Sequence, residues 1–328
     1  MNIFVVGAGG WGTALSCLLI RNGHQVSLWA WQEQQVRRMQ AAGENEEFLP
    51  GVPLPSRLRL THKLEGLAQA ELIVLAVPSA VMSGVAEQMV PWVRPGAVIV
   101  NAAKGLVPGS LQPMSQVLAR LLPYNPICVL SGPSHAEEVA RELPTLVCVA
   151  GGEGAACAVV QDAFISPSFR VYTSDDVMGV EVGGAVKNII ALASGILAGL
   201  ELGDNARAAL MTRGLSEMRR LGLALGARAE TFAGLTGMGD MIVTCTSLHS
   251  RNYRAGLAIG RGRKWRQVLA DTHMVVEGVY ATECAYELAR KLKVEMPITR
   301  QVYRILYEDL DPRQAMLELM TRPRTDEK

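Results

Sequence analysis

The chain opens on a short apolar run at 2–7 (NIFVVG). A stretch with helical spacing follows at 13–22 (TALSCLLIRN), then a second β-rich run at 25–29 (QVSLW). Further runs at 72–77 (LIVLAV, stopped by Pro78), 97–101 (AVIVN), 127–130 (ICVL) and 145–150 (TLVCVA) are apolar on both faces, with helical stretches between them. Strands of this kind belong to a parallel sheet covered by helices on both sides. The stretch 50–55 (PGVPLP) reads as a surface connection. From about residue 179 the strand signals stop. Helical patterns take over at 179–200, 206–225, 250–260, 277–293, 297–309 and 313–320. The change of period predicts an α/β chain: a doubly wound parallel sheet over 1–178, then an all-α domain over 179–328.

Composition narrows the function. At 328 residues and 49% hydrophobic, the chain has enough apolar surface for two packed cores. Its 32 basic and 31 acidic residues nearly cancel, so the electrostatic footprint of a general nucleic-acid binder is missing. The cysteines (17, 128, 148, 157, 245, 284) form no CxxC, and the histidines (24, 62, 135, 249, 273) are isolated in sequence. The cysteines read as small buried residues of a reducing compartment, and the expectation is neither a disulfide frame nor a metal site. Residues 1–20 carry no charge, but no basic segment precedes them and glycines crowd 7–12. The other uncharged stretch, 189–200, suits a buried helix, so the expectation is a cytoplasmic protein with no integral membrane segment.

Candidate chemistry begins at Gly7-Ala8-Gly9-Gly10-Trp11-Gly12, a G-x-G-x-x-G between a strand and a helix. Gly7 permits the tight turn, Gly9 lets backbone approach a pyrophosphate, and Gly12 allows close helix–sheet packing, with the helix N-terminus facing the phosphates. This makes the first domain Rossmann-type. Trp11 either stacks near a cofactor or anchors the first helix. The second strand ends at 28–33 (LWAWQE) with no acid to bind an adenosine 2′-hydroxyl, and Arg37 and Arg38 lie nearby. With nothing to bar a 2′-phosphate, NADP is favoured and NAD tolerated; the spacing of the two arginines suits a helix surface better than a cofactor contact.

Ligands of such sheets bind beyond the carboxyl ends of the strands, here 77–79 (VPS), 101–105 (NAAKG) and 131–134 (SGPS). Lys104 follows a buried strand directly, which aims its ammonium into that crevice; the alternative is a surface lysine. Ser134 and Glu137 fit a capping box opening a helix at 135–142. Around Lys187 in its helix stand Gly183, Gly184, Ile190 and Ala191, with Ser194 two turns on, a mostly small-residue stripe that admits a ligand or a second backbone; the alternative is a lysine snorkelling from a tightly packed helix pair. Asp240 ends a glycine-rich loop at 234–240 (GLTGMGD), where it would orient a lysine, hold a substrate hydroxyl or cap the next segment. Ser250-Arg251-Asn252 opens a stretch without acids that contains Arg251, Arg254, Arg261, Arg263, Lys264 and Arg266. These cations are either a solvated face or an anion pocket.

The ordered set GAGGWGTAL, AAKGL, SGPSHAEE, GGAVKNIIALASGI, ARAALMTRGLSEM, GLTGMGDMIVTCTS, SRN and VVEG resembles bacterial NAD(P)-dependent glycerol-3-phosphate dehydrogenase from residue 2 to about 320. The resemblance implies interconversion of dihydroxyacetone phosphate and sn-glycerol 3-phosphate, for phospholipid synthesis, by a homodimer using NADPH or NADH. It makes the lysine matching Lys187 the proton donor and acceptor, and puts Lys104 on both substrate and cofactor. Ser134, Asp240, Ser250, Arg251 and Asn252 would bind substrate, Arg251 reaching the cofactor as well. Gly10, Trp11, Gly132, Ala136, Val275 and Glu277 match cofactor contacts. The family usually carries a basic residue or histidine where this chain has Trp31.

The chemistry agrees with the residues. Ketone reduction needs an acid near the carbonyl oxygen, and neither a nucleophile nor a metal. A lysine serves if burial and nearby cations lower its pKa, which gives Lys187 the acid's role, Lys104 that of charge stabiliser and Asp240 that of orienter. Two other readings remain: a β-hydroxyacid dehydrogenase, which would prefer carboxylate substrates, and a dinucleotide sensor without turnover, which would need no acid.

Overall fold

The computed structural model describes residues 1–272, 274–324 and 326, so His273 lies outside the described residues. The first domain begins β1 (Asn2–Val6), α1 (Gly10–Arg21), β2 (Gln25–Trp29), α2 (Glu33–Ala42). Two short strands, β3 (Glu44–Asn45) and β4 (Leu49–Pro53), form an antiparallel ribbon. The 50–55 stretch is therefore partly strand, not a plain connection; Leu49 and Val52 of β4 are buried, while its prolines sit at a ribbon edge that needs few ladder donors. Next come β5 (Arg59–Thr61), β6 (Leu72–Leu75), α3 (Met82–Met89), β7 (Val98–Asn101) and α4 (Met114–Leu121). The domain ends with β8 (Ile127–Ser131), α5 (Ala136–Ala140), β9 (Thr145–Gly151), α6 (Gly154–Phe164) and β10 (Phe169–Ser174).

Eight strands make one sheet in the order β10-β9-β8-β7-β6-β1-β2-β5. In its centre Ile3 pairs in parallel with both Val26 and Leu72, and every residue of β6 and β7 is buried. The sheet is not wholly parallel, because β9 runs antiparallel to β8 and β10 follows β9. The chain order reverses between β1 and β6: β2 lies on one side of β1, and the strands after β6 run away on the other. That switch point opens a crevice at the strands' carboxyl ends.

The second domain is helical: α7 (Val177–Gly199), α8 (Gly203–Ala224), α9 (Ala229–Ala233), a single π turn (Leu235–Gly239), α10 (Asp240–Thr246) and α11 (Arg251–Gly260), followed by α12 (Trp265–Ala270), α13 (Glu277–Leu292), α14 (Pro297–Tyr307) and α15 (Pro312–Met320). Residues 234–240, expected as a glycine loop, are thus mostly the π turn feeding α10. Among the described residues, α7 alone is long and apolar enough to cross a membrane, and it is the domain's central core helix, buried from Gly179 to Leu197.

Helix α11 runs alongside α7 at a spacing only glycine allows. A Cβ on Gly195 would lie 2.1 Å from the Tyr253 carbonyl oxygen, and one on Gly256 would lie 2.0 Å from that of Leu192. This crossing, with Asn252 Nδ2 donating to Asn188 Oδ1 at 2.9 Å, sets the N-terminus of α11 beside Lys187.

Candidate active site

The crevice is a cleft of about 730 Å³ with walls from both domains. On the sheet side, Gly7 adopts φ +116° and Gly12 lies so near it that a Cβ there would be 1.9 Å from the Gly7 carbonyl oxygen. Gly9 precedes α1 without a side-chain cap, and a Cβ on it would meet nothing within 4 Å. The loop is pinned from behind, where the Ala8 carbonyl accepts from Gln35 Nε2 at 2.8 Å and Asn45 Nδ2 at 3.0 Å. Free first-turn amides beside an open glycine surface fit a pyrophosphate. Trp11 does both things expected of it: it lines the cleft, and its Nε1 donates to the Ala102 carbonyl at 3.1 Å, tying α1 to the end of β7.

On the helical side, Lys187 Nζ donates to Asp240 Oδ1 at 2.5 Å and to Thr244 Oγ1 at 2.7 Å. From the sheet side, Lys104 Nζ donates to Asp240 Oδ2 at 2.7 Å and to the Gly132 carbonyl at 2.9 Å. One carboxylate therefore holds two ammonium groups, one from each domain. Lys187 is 5% exposed and Asp240 1%. Lys187 does not snorkel to the surface. Burial lowers its pKa to about 7, with Asp240 opposing the shift and Lys104 adding to it. Burial acts to raise the Asp240 carboxyl, but Lys104 and Lys187 outweigh it and hold Asp240 below its usual value, hence ionised.

The glycines around Lys187 serve protein packing. A Cβ on Gly183 would sit 2.8 Å from the Thr236 carbonyl oxygen, and one on Gly184 would crowd Ser131 Oγ at 3.0 Å and the Lys104 stem at 3.6 Å. The stripe admits the π turn and the incoming Lys104, which is what brings the two lysines together.

Ser134, Ala136, Ser250, Arg251, Asn252, Val275 and Glu277 line the same cleft, as do Gly10 and, at its far end, Trp31. Several do so differently from expectation. Ser134 caps no helix: its Oγ donates to the Gly132 carbonyl at 2.9 Å, and His135 takes the N-cap position without a side-chain bond. Ser250 is the N-cap of α11, its Oγ accepting from Tyr253 N at 3.2 Å. The Asn252 amide is already engaged, donating to Asn188 and accepting from Gly278 N at 2.8 Å. Glu277 reaches across the cleft, accepting from Ser79 N at 3.1 Å and Ser79 Oγ at 2.6 Å, so one domain clasps the other.

The basic stretch divides. Arg251 and Arg254 line the cleft, whereas Arg263 pairs with Asp271, Lys264 with Asp309 at 3.0 Å, and Arg266 lies over the Trp265 ring. Arg37 and Arg38 are also committed, to Glu33 and Glu47. His135 and His249, far apart in sequence, bring their rings within 5.7 Å at the cleft. Among the described residues, no group of three His, Cys, Asp or Glu side chains is placed to hold a metal.

Three contributors were not picked out from sequence. Thr244 lies one turn after Asp240 on the same helix face, a spacing that could have signalled it. Asn188 follows Lys187 directly. Glu181, a lone carboxylate in an apolar helix, is fully buried and accepts from Ser115 N at 3.0 Å, from Ser115 Oγ and from Asn101 Nδ2 at 3.4 Å, which locks α7 onto the end of β7.

A glycine loop on one wall and, where the two domains meet, a buried lysine–aspartate–lysine cluster define a two-domain, dinucleotide-dependent oxidoreductase. The family model for the NAD-dependent glycerol-3-phosphate dehydrogenase N-terminus matches residues 2–157, and that for its C-terminus matches 176–317. The chain belongs to the NAD-dependent glycerol-3-phosphate dehydrogenase family. It is 53% identical to a glycerol-3-phosphate dehydrogenase (NAD(P)+) of Geobacter sulfurreducens, over 98% of this chain and 97% of that protein. Identity to one from Desulfitobacterium hafniense is 50%, over 99% and 93%. A crystal structure of glycerol-3-phosphate dehydrogenase from Coxiella burnetii superposes with a TM-score of 0.95 at 43% identity, covering 98% of this chain and 99% of that one. A ketopantoate reductase from Ralstonia eutropha, at 16% identity and a TM-score of 0.65, shares the fold.

Proposed function

We infer that this protein reduces dihydroxyacetone phosphate to sn-glycerol 3-phosphate with NADPH or NADH, and catalyses the reverse oxidation. The observation that carries the reading is the cluster of Lys187, Asp240 and Lys104, buried where the two domains meet. When bound, the reduced nicotinamide supplies the hydride. Lys187, at about 7, holds a proton it can release near neutrality, and it donates that proton to the ketone oxygen as the alcohol forms. Asp240 stays ionised and aims the Lys187 ammonium through its 2.5 Å hydrogen bond. Lys104, held by the other oxygen of Asp240, places a second positive charge where the ketone oxygen becomes negative.

The positive end of α11 and the Arg251 guanidinium would hold the phosphate, with Ser134 and Ser250 beside it. Asn252 serves this corner by tying α7 to α13. Gly7, Gly9 and Gly10 would cradle the pyrophosphate, with Trp11, Gly132, Ala136, Val275 and Glu277 around the rest of the cofactor and Trp31 at its adenosine end. A homodimer working in the cytoplasm, supplying the phospholipid backbone, completes the proposal.

Initial rates of NADPH and NADH oxidation test it, with dihydroxyacetone phosphate, dihydroxyacetone and a short 2-oxo acid in parallel. The reading predicts turnover of the phosphorylated triose far above the other two. Preferential turnover of the oxo acid would replace it with the β-hydroxyacid dehydrogenase reading.

A further inference from the structure

Trp29, the last residue of β2, is buried, and its Nε1 donates to the His62 carbonyl at 3.0 Å. Two residues on, Trp31 is 64% exposed and stands edge-on to Trp29, with ring centroids 6.0 Å apart and planes at 76°. The inner indole thus orients the outer one. Ala80, Val81 and Gly84 line the same cleft; Val81 is itself half exposed, and a Cβ on Gly84 would meet nothing within 4 Å. An exposed indole in a cleft that also offers open apolar surface suits a flat ring.

Charge at this end gives no lead to either cofactor. The cleft's cations, Lys104, Lys187, Arg251 and Arg254, come from the loop after β7 and from the second domain. Around the end of β2, Glu33 is paired with Arg37 at 2.8 Å, and His62 and Lys63 lie near enough to act on it. None of these four residues lines the cleft, so none singles out a ribose 2′-hydroxyl or a 2′-phosphate.

The geometry points to Trp31 as the platform on which the adenine of either cofactor stacks, so that affinity here comes from an aromatic face shared by NADH and NADPH. This rests on the cofactor reading above. Arg37 and Arg38 pair at the surface with Glu33 and Glu47, the simpler of the two meanings their spacing offered.

The test uses ADP-ribose and 2′-phospho-ADP-ribose, which carry the adenosine end without nicotinamide, bound to the full-length protein and followed by calorimetry. Trp31→Ala should weaken both about tenfold, the scale of one base stacked on an aromatic side chain, while Trp31→Phe keeps both within about threefold of the parent. Tryptophan emission should be quenched by either probe in the parent and much less in Trp31→Phe. The side chain is mostly exposed, so both variants should melt with the parent. Unchanged affinities in Trp31→Ala, or loss of one probe alone, overturn the platform and leave the dehydrogenase reading standing. A parent protein that binds neither probe overturns both.

Discussion

Replacing Asp240 with asparagine removes one negative charge from between two ammonium groups and leaves side-chain size unchanged. The carboxylate oxygens lie 2.5 Å from Lys187 Nζ and 2.7 Å from Lys104 Nζ, with 1% of the residue exposed. An amide offers one acceptor oxygen, so one lysine would meet a donor in place of its partner. Removing one member of a buried ion pair costs about 3–5 kcal/mol. In the parent, burial and Lys104 pull Lys187 down to about 7 while Asp240 holds it up. Without the carboxylate the downward influences act alone, and the titration moves well below 7. Each unit of that fall removes about tenfold of the protonated acid above the new midpoint. Reduction at about pH 7.5 should therefore slow about 10–100-fold, with the deficit narrowing as the pH is lowered toward the new midpoint.

Stability follows the same proton. Between the depressed folded pKa and the unfolded value of about 10.4, the unfolded chain binds the additional proton, so stability rises with pH across that window. The variant should be weakest at acid pH, where both ammonium groups are charged and unopposed. The assays are the pH profile of kcat with saturating dihydroxyacetone phosphate, and urea unfolding at about pH 6 and pH 9. A variant with the parent's pH midpoint and an unfolding free energy within about 1 kcal/mol of the parent's would show that Asp240 neither sets the Lys187 titration nor neutralises the pair.

Arg251→Ala should lose about 100-fold in kcat/KM with dihydroxyacetone phosphate and far less with dihydroxyacetone; equal losses would remove Arg251 from the phosphate site. Gly12→Ala places a Cβ 1.9 Å from the Gly7 carbonyl oxygen and should prevent accumulation of folded protein, whereas Gly9→Ala, with open space above it, should melt with the parent yet bind NADH and NADPH more weakly. Thermal melts with cofactor titration separate the two, and a stable Gly12→Ala would contradict the packing. Burial raises Glu217 to about 7, against the donors Ile298 N, Thr299 N and Thr299 Oγ. A raised folded pKa contributes stability below the unfolded value of about 4.3 and loses it as pH climbs through 7, so Glu217→Gln should flatten part of that decline in unfolding experiments.

Much of this was legible in the chain because apolar runs and glycine spacing are local signals. The G-x-G-x-x-G lay where α1 begins, and the second domain's long helices were visible in their periodicity. The reversal of β9 was not, since a strand buried on both faces reads the same in either direction. Pairing within the 44–53 ribbon was hidden by its prolines, which look like loop in sequence. Lys104, Lys187 and Asp240 were joined by the chemistry expected of them, but what brings them together, glycines letting α7 approach the ends of β7 and β8 over separations of 53 and 136 residues, is visible only in the fold. The committed arginines, Arg37 and Arg38, show the opposite limit: charge near a binding strand says little until its partners are known.

The assignment of Lys187 as the acid stands or falls with Lys187→Met, which removes the ammonium while keeping the volume of the stem. Cofactor affinity should stay within about threefold of the parent while reduction of dihydroxyacetone phosphate falls about 10²–10⁴-fold, the range expected for loss of a positioned acid. Turnover within a few-fold of the parent, at normal cofactor affinity, would contradict the account.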